Sequence, residues 1–169
     1  MNHDFATIAA SPAEYRRRLI VPTARGPAPL ADVAADFQRE RFDSLDPALL
    51  SVSRGQTPAC GRFWWEATKG ASKDSDLAAM LLWLLAFSPR MLTCQAGAAD
   101  EDQADELRKA AKGILRLNRW LQDLVHIESW RIINRHTESV AEIVAADVTG
   151  SHGARPDVLI LNELSHIAR

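Results

Sequence analysis

Residues 69–77, KGASKDSDL, place a lysine in a small, polar, glycine-containing loop directly before an apolar segment. A loop feeding a helix in this way can hold a phosphate, because loop N–H groups and the positive end of the helix converge on the anion. Gly70, Ala71 and Ser72 would supply loop backbone, and Lys73 would reach the β and γ phosphates of a nucleotide. Asp74 or Ser75 would offer an oxygen ligand to a magnesium ion. The usual GxxxxGK[ST] string is absent, since Ser72 stands at its second glycine and Asp74 at its Ser/Thr. The same residues also allow a plainer reading, in which Asp74 or Ser75 caps a buried helix.

A second constellation lies at residues 157–163, DVLILNE, where an apolar run delivers Asn162 and Glu163 at its end. A nucleotide hydrolase needs a polar magnesium-holding residue followed by a carboxylate that activates water at such a strand end. The plainer reading is a strand that meets solvent at a polar end. Finding the two pieces in this order, with an α/β pattern between them, favours a common site.

The intervening elements must bring these pieces together. Residues 61–68, GRFWWEAT, read as a short buried strand leading into the loop, and a helix is expected from near Ser75 through the apolar run 76–87. Residues 90–96 read as a strand. An amphipathic helix follows, with Leu107, Ala111, Ile114, Leu115, Trp120 and Leu121 at helical spacing. Residues 125–134 and 140–146 read as strands forming a hairpin across the 136–139 turn, and 157–163 as the last strand. Such alternation implies an α/β domain with a mostly parallel central sheet and helices on both faces, binding ligands at the carboxyl ends of its strands. Upstream, residues 1–36 read as an irregular N-terminal arm, rich in Pro, Ala and Arg between 12 and 30. A helix over 32–42 and a separate helical turn beginning near Asp46 and Pro47 are expected next.

Composition narrows the function classes. Twenty Lys and Arg against 22 Asp and Glu give a net charge of -2, so any contact with nucleic acid must be local. Arg16, Arg17 and Arg18 form a short basic run that reads as a solvated face or a DNA contact. Tryptophans 64, 65, 83, 120 and 130 read as core. Cys60 and Cys94 have neither CxxC spacing nor a His/Cys cluster, and no HExxH occurs, so neither a disulfide framework nor a zinc site is expected. The apolar run 76–87 is shorter than the ~20 residues a membrane span needs, and the N-terminus does not read as a signal peptide. A reducing, cytoplasmic setting without membrane contact is expected.

The run 63–87, FWWEATKGASKDSDLAAMLLWLLAF, then GAADEDQADELRKA at 97–110 and ARPDVLILNELSHI at 154–167, resembles the ATPase domain of phage terminase large subunits. These are the motors that pump DNA into capsids. Members of this branch carry a deviant phosphate loop of the form KGxSK[ST], a DxDQA segment and a strand end similar to [AD]DELTH. The resemblance covers roughly residues 37–166 and implies a P-loop NTPase-like three-layer domain over 37–169. Such a domain would be incomplete at its C-terminus, with the nuclease domain absent. It implies ATP and Mg2+ as cofactors, with Gly70, Ala71, Ser72, Lys73, Asp74 and Ser75 holding the nucleotide. Asp74, Ser75 and Asn162 would be the metal ligands, Glu163 the water-activating base, and Lys69 a cis finger on the γ phosphate. The partners it implies are double-stranded DNA, the procapsid portal, the small terminase subunit and further copies in a ring. Three departures, Asp74 for Ser/Thr, Asn162 for Asp and the early stop, support an alternative. In that reading the chain is a catalytically degenerate remnant acting as a weak nucleotide-binding or interaction module.

Overall fold

The computed structural model describes residues 4–68, 70–98, 100–145 and 155–162. Lys69 and Glu163, both assigned roles above, lie outside these residues.

Helix α5 (Lys73–Phe87) organises the domain. Its residues from Ala78 to Leu85 are all buried, as expected of a helix that is apolar on every side. At 15 residues it is about 22 Å long, too short for a bilayer. Among the described residues no helix is long and apolar enough to cross a membrane. One side of α5 faces the sheet and another packs against α6 (Glu101–Leu117). Its remaining surface is covered by α1 (Phe5–Ala10), α2 (Pro12–Arg18) and α4 (Asp36–Ser53).

That covering corrects the picture of an irregular arm over 1–36. Asp4 caps α1, Ser11 caps α2 with Pro12 at its first turn, and Ile8, Tyr15 and Leu19 are buried. Strands β1 (Ile20–Val21) and β2 (Ala28–Pro29) pair antiparallel and lead into α3 (Leu30–Val33). The Pro, Ala and Arg content suggested irregular structure, but Ile8, Tyr15, Leu19, Val21 and Leu30 all bury in the core that includes α5. Arg16 is not a solvated charge: its guanidinium donates to both carboxylate oxygens of Asp46, at 2.8 and 2.7 Å. This pair holds α2 to α4. Helix α4 runs unbroken through Pro47, where two pieces were expected, because Leu45, Ala48 and Leu49 bury on both sides of the proline.

The main sheet has five strands: β3 (Thr93–Ala98), β4 (Val125–Glu128), β5 (Arg131–Asn134), β6 (Val140–Ala145) and β7 (Val158–Leu161). Their spatial order is β4-β5-β6-β3-β7. β3 pairs in parallel with β6 and β7, whereas β4–β5 and β5–β6 are antiparallel. The sheet is therefore mixed rather than mostly parallel. Residues 125–134 form two strands, turned at Ser129 (φ +53°), and the expected hairpin across 136–139 is the β5–β6 pair.

Helices α5, α6 and the short α7 (Arg119–Gln122) share one core with Cys94, Ala96, Ala141, Ile143, Val158 and Ile160, all on one face of the sheet. Among the described residues, the helices packed on the sheet thus lie together on that face, not on both. On the opposite face Ile133, Val140, Val144, Leu159 and Leu161 stand outside the core, with Leu159 57% and Leu161 51% exposed. The aromatic run 61–68 is not a strand. A strand persists only in a ladder that satisfies its N–H and C=O groups, and no described strand pairs with this run. Trp64 is 69% exposed there.

Candidate functional site

The loop before α5 turns through two left-handed residues. Gly70 has φ +85°, with nothing within 4 Å of where a Cβ would sit, so glycine is kept there by backbone conformation rather than by crowding. Ser72 has φ +57° and ψ +21°, a conformation that glycine adopts most easily. It occupies the position where the common phosphate-loop string has its second glycine. The helix begins at Lys73, two residues before the expected start, and Ser72 makes no side-chain cap bond. Capping by Asp74 is thus not its arrangement; the Asp74 side chain turns elsewhere.

It turns to the end of β7. Asn162 Nδ2 donates to Asp74 Oδ1 at 2.7 Å. Asn162 is 5% exposed, and its backbone N–H donates to the Gly97 carbonyl at 2.8 Å, which continues the β3–β7 ladder. Lys73 Nζ lies 3.6 Å from Asp74 Oδ2. The start of α5 and the carboxyl end of β7 therefore meet. Of the residues singled out in the sequence, Lys73, Asp74 and Asn162 are in contact, Gly70, Ala71 and Ser72 form the adjoining loop, and Ser75 lies in the first turn of α5. Helix α6 also starts at this edge, following β3. Asp100 Oδ1 accepts from the Gln103 N–H at 2.8 Å, so the DEDQA acidic group acts as a helix cap with first-turn acids.

Asp157 immediately precedes β7, and its backbone N–H donates to the Thr93 carbonyl at 2.7 Å. Burial raises its carboxyl pKa, but the Thr93 N–H at 2.9 Å and Arg90 at 2.6 Å outweigh that and hold it below the ordinary range. Cys94, buried in β3, has its thiol pushed up to about 12 by desolvation and by Asp157, which makes it unreactive. Among the described residues no group of three or more His, Cys, Asp or Glu could hold a metal ion.

Sequence reasoning missed what lies beneath the loop. Asp76, in the first turn of α5, is 1% exposed; it accepts from Gln38 Nε2 at 2.7 Å and from Arg41 Nη1 at 3.2 Å. The Arg41 guanidinium also lies over the Trp65 ring, 4.9 Å from its centroid, and over Phe37 at 5.5 Å. One buried arginine thus ties α4, the first turn of α5 and the aromatic run before the loop. The signal was an aspartate at the head of an otherwise apolar helix, where a carboxylate must have a partner.

Desolvation raises the Asp76 pKa to about 6, against the opposing pull of Gln38 and Arg41. A carboxyl whose folded pKa exceeds its unfolded value favours folding when protonated. Its contribution is full below about pH 4 and is lost as pH rises through about 6. Melting temperatures of parent and Asp76→Asn should therefore converge from pH 4 to 7 if the parent is the more stable at pH 4, and diverge if it is the less stable. In either case the parent falls relative to the variant as pH rises. A difference independent of pH would contradict this.

These features define an α/β domain with a mixed five-stranded sheet, in which the loop and first turn of a helix that begins at Lys73 meet a strand end. A crystal structure of the HK97 bacteriophage large terminase is similar in fold, with a TM-score of 0.67 at 18% sequence identity, over 95% of this chain and 31% of that one. No protein-family model matches the chain, and no curated protein does. The chain therefore has a terminase-like fold and spans about a third of that terminase's length.

Proposed function

We propose that this chain belongs to the nucleotide-binding motor unit of a phage large terminase and holds ATP and Mg2+ at the start of α5. The observation that carries the reading is the 2.7 Å contact between Asp74 and Asn162, which joins the phosphate-loop helix to the strand end. Lys73 and the backbone of Gly70, Ala71 and Ser72 bind the phosphates, helped by the first-turn amides that an α-helix leaves without intrahelical partners. The donor set fits magnesium: Asp74, Ser75 and Asn162 offer hard oxygens, and phosphate and water oxygens complete such sites elsewhere. Bound magnesium neutralises charge on the phosphates. The roles of water-activating base and γ-phosphate finger fall to Glu163 and Lys69. In this reading the whole motor, in the host cytoplasm, handles double-stranded DNA with the portal, the small subunit and further copies in a ring.

A second reading has its own observation. The Asp74 carboxylate lies 3.6 Å from Lys73 and competes with phosphate for that ammonium, as a remnant with weak nucleotide binding would tolerate. One calorimetric titration with ATP decides between binding and none. Lys73→Ala should weaken binding at least about tenfold, a loss of about 1.4 kcal/mol. The Lys73 side chain is 30% exposed, so its truncation leaves the core intact. An ATP affinity equal to the parent's would refute the assignment, and a parent that binds no ATP would favour the remnant.

A further inference from the structure

We infer that Asp74 and Asn162 are an exchanged pair, in which helix position 74 supplies the carboxylate of a divalent-cation site and Asn162 orients it from the strand end. The inference rests on the nucleotide reading and deepens it. In phosphate-loop hydrolases a neutral hydroxyl on the loop helix and a carboxylate at the strand end share the magnesium ion. Here the two kinds of group have traded places. Read one at a time, Asp74 adds an unwanted charge and Asn162 removes a needed one; read together, the site keeps one carboxylate.

The contact shows why the trade is physically favourable. A carboxylate only accepts hydrogen bonds, so the group that Asn162 turns to Asp74 must be its NH2, which leaves the amide oxygen as the remaining acceptor. Asn162 is 5% exposed, and a carboxylate there would be nearly desolvated. The Asp74 side chain keeps 28% of its exposure and stands in the first turn of α5, where the helix dipole favours negative charge. The charge has moved from the costly position to the cheap one. Because the ladder to Gly97 pins the Asn162 backbone, its amide approaches Asp74 from a fixed point. Asn162 is thus a positioning residue for Asp74.

The test compares the full chain with Asp74→Asn, Asn162→Asp and Asp74→Asn/Asn162→Asp, without nucleotide, by melting temperature with and without Mn2+ and by Mn2+ paramagnetic resonance. Asn162→Asp should melt lower than the parent without metal, because two carboxylates then face each other, and should show the largest rise with Mn2+. Asp74→Asn should lose the Mn2+-dependent rise seen in the parent. The double variant restores one carboxylate and one amide in mirrored positions, so it should melt above the sum of the two single effects and regain Mn2+ binding. A purely structural hydrogen bond would couple the melting temperatures without moving the Mn2+ response. Additive melting changes, a parent without Mn2+ response, or an Asp74→Asn variant that responds like the parent would each overturn the inference. That failure with Lys73-dependent ATP binding intact would leave the nucleotide reading standing. The expected cycle without ATP binding would sink the nucleotide reading alone.

Discussion

Arg41→Ala lowers the unfolding free energy by about 3–5 kcal/mol, the magnitude seen when one member of a buried ion pair is removed. Arg41 and Asp76 are 9% and 1% exposed, so the variant leaves a carboxylate inside the domain with Gln38 as its remaining partner. The cation–π contacts to Trp65 and Phe37 are lost as well, at about 0.5–1 kcal/mol each. Most of the loss belongs to the orphaned charge, and a second substitution separates the two contributions. Arg41→Ala/Asp76→Asn removes the charge and should recover a large part of the stability, leaving the packing and cation–π share. Urea denaturation of the three proteins measures this. A loss below about 1 kcal/mol for Arg41→Ala would mean that Asp76 finds water or simply protonates, which its raised pKa makes the competing outcome. Raising the pH from 5 to 8 should deepen the loss, because the orphaned carboxyl must then ionise.

Trp83→Ala has an effect of similar size by a different route. Trp83 is 1% exposed at the centre of α5, and its indole N–H donates to the Ile8 carbonyl at 3.0 Å. Truncation removes the largest fully buried side chain and leaves a cavity, for about 3–5 kcal/mol, or a fall in melting temperature on the order of 10 °C for a chain of this length. It also leaves the Ile8 carbonyl without that donor where α1 meets α5. Proteolysis should therefore cut first within residues 5–19 of the variant. Trp83→Phe keeps most of the apolar volume and should cost far less. If Trp83→Ala and Trp83→Phe melted together, the hydrogen bond to Ile8 and not the buried volume would be the source of stability.

Features contained within one element were legible in the sequence. The all-round apolar run 76–87 is a buried helix, and the periodic Leu107, Ala111, Ile114, Leu115 face of α6 is the face that buries. The order of a lysine-bearing loop before a helix and a polar strand end was also readable, and these pieces do meet. Periodicity and punctuation are local properties, and the i, i+3 and i, i+4 positions of a helix are neighbours wherever that helix goes.

Partnership was not legible, because partners are distant in the chain. Asp74 finds Asn162 88 positions away, and Asp76 finds Arg41 and Gln38 35 and 38 positions away. Each of these residues alone reads as a defect or a surface charge. The aromatic run 61–68 has strand composition, yet strand is a property of a ladder, and only the sheet order decides which segments gain a neighbour. The N-terminal segment likewise forms helices because Ile8, Tyr15 and Leu19 bury in the shared core. By itself, then, the sequence determined which segments can bury a face and where a helix start and a polar strand end lie along the chain. The tertiary structure decided which charges and amides are paired, because the strength of a charge or an amide depends on the groups that folding sets beside it.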